Sequence, residues 1–438
     1  MATPTGWRPT AALGRAVGTG GGLLLVAVLL RRADLVVLAG PLLIGAALAL
    51  AGRPHGAPSV RLSVPSRALL EGQRITATVT VSSDDAADAL DVAAVVLTLP
   101  TWLDATSGVS PPARAVIAGA GAHVDVPIEV RTRRWGRRPA GPATVHATGA
   151  YGLLRWPPVT SGVAVTTTWP LGEGFGATDT VPRAQALVGT HRSRRPGEGG
   201  DVAGVRPFIP GDRLRRVNWR VTGRTGELHV TATYADRDAE VLLCLDSRQD
   251  LGRPPDSCLD TGVRATAAIA EHYLRAGDRV GLVDLGQRYR PVPARNGRNH
   301  LVRILDVLLD TKPVRDGAGS SRATGMLAAA ELTALAAADA LVVLLSPLAG
   351  PAPLQAVAAL AHAGRPVVAV DTLPPTAVPD QRGDYTELAF RLWRLRRELD
   401  LLRLAELGVP VVPWRGAGSL DLVLQDVSRA ARAPRVTR

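Results

Sequence analysis

The sequence predicts a multidomain membrane protein with a transmembrane helical hairpin, a β-sandwich-like domain and an α/β domain that contains a mostly parallel sheet. Three observations predict this architecture. Two uncharged apolar runs lie near the N-terminus, a strand-like alternation follows them, and strand-like and helix-like segments then alternate to the C-terminus. The predicted segments are 1–53 for the tail and two helices, 54–172 for the β-sandwich-like domain, 173–238 for a linker with a turn motif, and 239–438 for the α/β domain.

The charge pattern argues against a nucleic-acid-binding protein. Lysine and arginine number 51 against 39 acidic residues, a formal net charge of +12, but Lys312 is the only lysine. The arginines are interspersed with acidic residues along the whole chain. Nucleic-acid-binding domains cluster their positive charge on one face, so we expect no nucleic-acid partner.

The common catalytic motifs are missing from the sequence. A phosphate-binding loop needs a lysine followed by serine or threonine, whereas Lys312 precedes Pro313. Cys244 and Cys258 are too few for a disulfide framework and lack the spacing of metal ligands. We therefore expect no catalytic residues and a protein that is not an enzyme.

The two apolar runs are predicted to form a membrane hairpin. They cover Ala16–Leu30 and Leu35–Ala51, with Arg31 and Arg32 between them. With its flanking residues, the second run is about long enough to cross a hydrocarbon core of roughly 30 Å as a helix; the first is short unless it starts near Ala11 and Arg15 extends to the headgroups. A hairpin connection this short leaves both outer ends on the same side of the bilayer.

The flanking arginines predict the orientation of the hairpin. Arg8 and Arg15 precede it and Arg53 and Arg61 follow it, so the positive-inside rule places the soluble domains in the cytoplasm. The expected location is the cell membrane, with two spans. A cleaved export signal that ends near Ala51 is the alternative.

The α/β segment is predicted from short apolar strands separated by helices. The clearest strands are Glu240–Leu245, Asp278–Leu285 and Ala340–Leu345. Right-handed crossovers between them give a parallel sheet, which binds ligands at the carboxyl ends of its strands. Helices are also predicted at 324–337 and 420–431.

A long helix is predicted over Tyr385–Leu407, with leucines at regular spacing. This apolar face is expected to pack on the sheet, and a partner-binding or membrane-surface helix is the alternative. The leucines are Leu388, Leu392, Leu395, Leu399 and Leu402.

A turn motif separates the strand-rich and α/β segments. Asp212 follows a Pro-Gly turn and is predicted to cap a short helix whose apolar side consists of Leu214, Val217 and Trp219. Arg224 precedes a strand and is expected to pair with a carboxylate. The motif is either a structural clasp between two domains or a partner-binding surface.

This P-G-D motif resembles the domain-of-unknown-function-58 family, a bacterial membrane-anchored family. The residues that carry the resemblance, and that we take as a partner-binding or structural motif, are Pro210, Gly211, Asp212, Arg216, Trp219 and Arg224. The resemblance implies a last domain similar to the von Willebrand factor A fold. It also implies a MoxR-type AAA+ ATPase as partner, in assembly, activation or envelope functions.

Domains similar to von Willebrand factor A often hold a divalent ion through a D-x-S-x-S motif. Only Asp246 matches that motif here, because Arg248 and Asp250 replace the two serines, and Ser346 stands where a later aspartate is expected. An arginine at a ligand position brings its own charge and competes for the carboxylate. We expect a degenerate site and no cofactor; Asp246, Asp250 and Ser346 remain the candidates for holding Mg²⁺.

Two functions follow from these expectations. The first is a non-enzymatic, membrane-anchored interaction or adaptor protein, with the lipid bilayer and the ATPase as partners. The alternative is a membrane-associated metal-dependent enzyme or ligand-binding protein that uses Asp246, Asp250 and Asp284. An enzyme should bind a small ligand or metal alone, whereas an adaptor should gain stability only with its partner.

Overall fold

The protein forms two compact units, Met1–Pro170 and Leu171–Arg438. The computed structural model describes residues 6–54, 56–83, 90–106, 113–121, 123–170, 196–210, 212–234, 240–286, 291–313, 330, 332–337, 340–379, 383–415 and 419.

Two apolar helices open the N-terminal unit, α1 (Ala11–Leu30) and α2 (Ala33–Ala51). Their mean hydropathies are 1.8 and 2.2, and both are long enough to cross a membrane. Arg31 adopts a left-handed conformation that closes the turn between them. A Cβ on Gly20 would lie 2.9 Å from the side chain of Leu43, so this glycine lets the helices approach closely. The predicted pair of N-terminal apolar helices is confirmed.

The helix pair is attached to the β-strands that follow it. Strand β1 (Arg8–Pro9) pairs with Leu154–Arg155, and the Thr10 hydroxyl, which caps α1, lies 3.0 Å from the carbonyl oxygen of Leu153. The Trp7 side chain is buried, and its carbonyl accepts a hydrogen bond from Arg53, just after α2. Both outer ends of the hairpin are therefore held by the same β-structure.

Short strands, paired antiparallel with one exception, make up most of the rest of this unit that the structure describes. They are β2 (Ser59–Ser63), β3 (Leu69–Leu70), β4 (Arg74–Ser82), β5 (Leu90–Leu97), β6 (Leu103–Ala105), β7 (Ala113–Gly121), β8 (His123–Thr132), β9 (Gly136–Ala140), β10 (Ala143–Gly149), β11 (Leu154–Arg155), β12 (Val159–Thr160) and β13 (Ala164–Trp169).

Three sheets are built from these strands. Their orders are β1-β11-β10-β5-β7 with β12 beside β10, β2-β4-β8-β6, and β3-β13-β9, where β3 and β13 are parallel. Alternate residues of β4 and β8 are buried, as their sequence pattern predicts. The buried residues form one hydrophobic cluster that includes Val79, Val95 and Val126.

The C-terminal unit contains a two-stranded and a six-stranded sheet. Its strands are β14 (Pro196–Pro207), β15 (His229–Tyr234), β16 (Glu240–Leu245), β17 (Arg279–Asp284), β18 (Val292–Arg295), β19 (Leu341–Ser346), β20 (Val367–Asp371) and β21 (Val411–Pro413). Its helices are α3 (Trp219–Thr225), α4 (Cys258–Ala276), α5 (Arg298–Leu309), α6 (Pro351–His362) and α7 (Thr386–Glu406).

The six-stranded sheet has the order β18-β17-β16-β19-β20-β21. All neighbouring strands are parallel except β17 and β18, which are antiparallel. Strands β16 and β19 are almost completely buried, because helices cover both faces of a parallel sheet. The prediction of two helices followed by several sheets, of which one sheet is mostly parallel, is confirmed. Half of the predicted helix 324–337 and all of 420–431 lie outside the described residues.

The prediction for helix α7 was wrong about which face is buried. The five leucines that were expected to pack on the sheet are 57–61% exposed. Another face of the helix contacts the domain, through Trp393, Arg397 and Leu404. The polar contacts of Arg397 and the bulk of Trp393 fix the helix rotation, which leucine periodicity alone does not reveal.

Both cysteines should be unreactive in the folded protein. Burial raises the pKa of the Cys244 thiol to about 12, and burial chiefly raises that of Cys258 to about 12 as well. Because the thiolate is the reactive form, we expect no maleimide labelling at about pH 8 and labelling of both cysteines in urea. Leu214→Cys, at an exposed position, is the positive control. Native labelling as fast as that control would contradict the burial of the two thiols.

Candidate functional site

The P-G-D motif lies between two paired strands. Strands β14 and β15 are antiparallel, with Arg206 opposite Val230 and Pro207 opposite His229. The Phe208 amide extends this ladder by donating to the carbonyl of Leu228. Residues 208–228 therefore form a long connection between the two strands, which we call the excursion. Backbone hydrogen bonds join its two ends.

A bidentate ion pair fixes the turn at the start of this excursion. The two terminal guanidinium nitrogens of Arg206 each lie 2.7 Å from a carboxylate oxygen of Asp212. The Ile209 amide donates to the same carboxylate at 2.9 Å. These hydrogen bonds, that of Arg206 first, lower the pKa of Asp212, and the nearby charge of Arg216 adds to the effect. Asp212 thus stays ionised and holds the turn.

Asp212 does not cap a helix, contrary to the prediction. The single-turn 3-10 helix Leu214–Arg216 begins after Arg213 without a side-chain cap. The cap of α3 is Asn218, whose side-chain oxygen accepts a hydrogen bond from the Val221 amide. Asp212 is engaged by Arg206 instead, since a bidentate charge-assisted pair is stronger than one neutral capping bond.

The apolar residues of the motif do not share one buried face. Val217 is buried and pairs with Val230 of β15, whereas Leu214 is 69% and Trp219 is 71% exposed. Ile209 is also exposed. The structure therefore presents apolar side chains to solvent on a backbone that the Arg206–Asp212 pair and the Asn218 cap hold in place. We call Ile209, Leu214 and Trp219 the P-G-D surface.

The other predicted motif residues lie around this surface. Pro210 belongs to the turn, Arg216 ends the 3-10 helix, and Arg224 is exposed in the last turn of α3, before strand β15 as predicted. Gly211 lies outside the described residues. Asp212 and Trp219 lie in the same segment, 208–228. The hydrogen bonds recorded for Asp212 go to Arg206 and Ile209 and not to Trp219.

A second candidate site lies at the carboxyl ends of β16 and β19. These strands are neighbours at the centre of the sheet, where the strand order reverses direction and α/β sheets bind ligands. Asp246 follows β16 and is 6% exposed, and the Ser346 hydroxyl donates to its Oδ2 at 2.7 Å. The resemblance to von Willebrand factor A domains had placed these two residues at the same candidate site.

Arg248 occupies the position that a metal would need. Its Nε lies 2.7 Å from Oδ1 of Asp246, and its Nη2 lies 3.0 Å from Oδ2. Both carboxylate oxygens of Asp246 are therefore taken by a guanidinium, and one of them also by Ser346. A divalent ion would have to displace a fixed positive charge, so these residues do not fit Mg²⁺.

The neighbouring carboxylates also have structural partners. Asp284, at the end of β17, accepts hydrogen bonds from the Ser247 hydroxyl and from the Gly286 amide. A Cβ on Gly286 would lie 2.9 Å from the backbone nitrogen of Arg248, so only glycine permits this close packing. Asp250 accepts a hydrogen bond from the amide of Leu259, at the start of α4. The three aspartates of the alternative function are thus each engaged in holding loops.

Sequence reasoning missed the arginines that position the P-G-D motif and α7. Arg206 precedes the P-G-D motif, and only the folded turn brings it to Asp212. Arg397 forms a buried ion pair with Asp371 at the end of β20, which no local pattern reveals. The Asn218 cap had a signal, since asparagine directly before a short helical run is a preferred N-cap.

Comparison with known proteins supports the predicted family. Residues 204–380 match the family described as Protein of unknown function DUF58. The chain is 38% identical over 117 residues to the uncharacterized protein Rv1480 of Mycobacterium tuberculosis, which covers 26% of this chain and 37% of that protein. It is 26% identical over 104 residues to the uncharacterized protein YeaD of Bacillus subtilis, covering 24% of this chain and 25% of YeaD. The predicted resemblance is confirmed, and the matches span well under half of these relatives.

Among solved structures, the chain has a likeness to the conserved hypothetical protein BatB from Bacteroides thetaiotaomicron. The TM-score is 0.29 and the sequence identity 13%, over 44% of this chain and 100% of BatB. A likeness of this size carries no argument about fold or function.

Removing Arg248, which follows the central strand β16, should destabilise the C-terminal unit. Arg248→Ala leaves the Asp246 carboxylate buried without its cation, which we expect to lower the free energy of unfolding by about 3 kcal/mol. Urea titration with pulse-labelling of Cys244 and Cys258 measures the free energy of unfolding of this unit, because both thiols become exposed when it unfolds. Arg275→Ala, which breaks a more exposed ion pair with Glu271 on α4, should cost less than about 1 kcal/mol. Equal losses in the two variants would contradict the role given to Arg248.

Magnesium should leave the stability of the protein unchanged. The guanidinium of Arg248 already satisfies Asp246, so excess MgCl₂ should not shift the urea midpoint of thiol exposure. A stabilisation by Mg²⁺ that disappears in Asp246→Ala would show that the site binds the ion and would overturn the degenerate-site hypothesis.

Proposed function

We propose that this chain, whose residues 204–380 belong to the DUF58 family, is a non-enzymatic, membrane-anchored interaction protein. Its P-G-D surface binds a partner protein. The partner class is a MoxR-type AAA+ ATPase, and the pair acts in assembly, activation or envelope functions.

The observation that carries the proposal is the exposure of Trp219 and Leu214 on a rigid excursion. Exposed tryptophan costs solvation free energy, and tryptophan and arginine dominate the binding energy of protein interfaces. Arg213, Arg215 and Arg220 lie beside these side chains in the sequence. A partner surface with an apolar pocket rimmed by carboxylates matches this combination.

Two further features support the proposed domain types. The strand order of the six-stranded sheet, with its antiparallel edge strand β18, supports a von Willebrand factor A-like fold. The single hydrophobic cluster between the sheets of the N-terminal unit supports a β-sandwich-like domain.

The chemistry at the carboxyl ends of the central strands favours a binding role over catalysis. Asp246, Asp250 and Asp284 each hold a loop through hydrogen bonds, and Arg248 neutralises the first of them. A catalytic carboxylate must reach a substrate or a metal ion, and these three are occupied otherwise.

The two apolar helices support the proposed place in the cell membrane. The arginines that flank the hairpin favour a cytoplasmic location for both soluble units. An ATPase partner needs ATP, so the two proteins would meet on that side of the bilayer.

Affinity purification of the tagged full-length protein from its native membrane, in mild detergent, tests the proposal. Mass spectrometry should identify a MoxR-type AAA+ ATPase near stoichiometry. Trp219→Ala should weaken its recovery by about tenfold or more, because interface tryptophans contribute about 2 kcal/mol or more. Val165→Ala, which shortens an exposed apolar side chain of β13 in the other unit, is the control and should leave recovery unchanged.

Two results would contradict the proposal. One is equal recovery of the ATPase with Trp219→Ala and with wild type, which would remove the P-G-D surface from the interface. The other is recovery of the bait alone, together with thermal stabilisation of the protein by a metabolite or divalent ion. That result would favour the ligand-binding or enzymatic alternative.

A further inference from the structure

Helix α7 carries a leucine stripe with the spacing of a coiled coil. Its five leucines are separated by four, three, four and three residues, which is the alternation of a and d positions in a heptad. Each of them is more than half exposed to solvent. We call these residues the leucine stripe: Leu388, Leu392, Leu395, Leu399 and Leu402.

The opposite face of α7 is fixed to its own domain. Phe390, Arg397 and Leu404 occupy the f positions of the same heptads, directly opposite the a/d seam. Arg397 forms a buried ion pair with Asp371 and donates from Nε to the carbonyl of Pro347 at 2.9 Å. Leu404 is buried in the hydrophobic cluster of the sheet. The helix cannot rotate to bury the leucine stripe without breaking these contacts.

We propose that the leucine stripe is a homodimer interface, on which α7 of a second copy of this chain docks in the antiparallel direction. A two-fold axis makes such an interface self-complementary, since the same stripe serves both copies. With Leu392 opposite Leu395 of the second copy, Leu388 faces Leu399, and four leucine layers form. This inference does not rest on the proposed ATPase partner.

The charges beside the stripe select the antiparallel direction. The g positions are Arg391 and Glu398, and the e positions include Arg396 and Arg403. In an antiparallel pair g faces g, so Arg391 lies opposite Glu398 of the second copy, twice by symmetry. In a parallel pair g faces e, so the repulsion between Arg391 and Arg396 offsets the attraction between Glu398 and Arg403, and only the antiparallel pair has attractive contacts alone. Exposed pairs of this kind set partner choice and direction more than they add affinity.

The exposed ion pair within α7 does not oppose this pairing. Arg391 contacts Glu387 one turn earlier, and both side chains are largely exposed. Such a pair contributes little stability and is readily exchanged for a contact across an interface.

Cysteine cross-linking of the full-length protein in mild detergent tests the interface and its direction. Leu388→Cys and Leu399→Cys are co-expressed on differently tagged chains; the native cysteines are buried. The antiparallel pair places positions 388 and 399 side by side and keeps two copies of position 388 about 16 Å apart along the axis. A disulfide needs Cα atoms within about 7 Å, so the mixed disulfide should dominate over both homodimers.

Val378→Cys is the matched control, because Val378 has a similar exposure outside the stripe. It should give no disulfide-linked dimer. Dominance of the Leu388→Cys homodimer would mean a parallel pair and overturn the proposal, as would the absence of any dimer. A monomer that binds anionic vesicles through the leucine stripe would assign α7 to the membrane surface instead.

A charge swap gives an independent check that leaves every leucine in place. Arg391→Glu should raise the dimer dissociation constant by about threefold or more, because the introduced carboxylate would face Glu398 of the second copy twice. Arg391→Glu/Glu398→Arg should restore it. Sedimentation equilibrium in density-matched detergent measures both. A single variant with wild-type affinity, or a double variant that remains weakened, would contradict the antiparallel arrangement.

Discussion

The ion pair between Arg248 and Asp246 fills the centre of the C-terminal unit. It lies at the centre of the parallel sheet, the position where this type of fold usually receives a ligand. The guanidinium of Arg248 binds both oxygens of the Asp246 carboxylate, and the Ser346 hydroxyl donates to it as well. The protein's own side chains therefore occupy the carboxyl ends of the two central strands. The two surfaces that we propose for recognition lie elsewhere, on the segment 208–228 and on α7.

Arginine–aspartate pairs hold both of those surfaces in place. Arg206 fixes the turn of the P-G-D motif through Asp212, and Arg397 fixes the rotation of α7 through Asp371. A chain that has almost no lysine uses the planar, bidentate guanidinium for this purpose, which fixes geometry better than an ammonium group does. The same type of interaction therefore closes the sheet centre and rigidly presents two apolar surfaces to solvent.

The N-terminal unit carries two helices that are long and apolar enough to cross a membrane. Pairing of β1 with β11, burial of Trp7 and the bond from Arg53 to the Trp7 carbonyl attach the helical hairpin to the β-structure at both of its ends. Such an anchor limits the freedom of the β-sheets relative to the hairpin. In the membrane-anchored form proposed above, tethering would raise the effective concentration of any two copies, which favours a self-association of moderate affinity.

The sequence by itself determined the features that depend on local pattern or residue identity. The apolar runs predicted two helices, Glu240–Leu245 predicted a strand that has those bounds, and Arg248 in place of serine predicted a competing arginine beside Asp246. Only the tertiary structure decided which face of α7 is buried and what Asp212 binds. Both depend on partners that are distant or lie across a turn, Asp371 for the helix and Arg206 for the turn. Leucine periodicity identifies an apolar stripe, but it does not reveal whether the stripe packs on its own domain. That depends on where the sheet places polar partners, such as Asp371, for the opposite face of the helix.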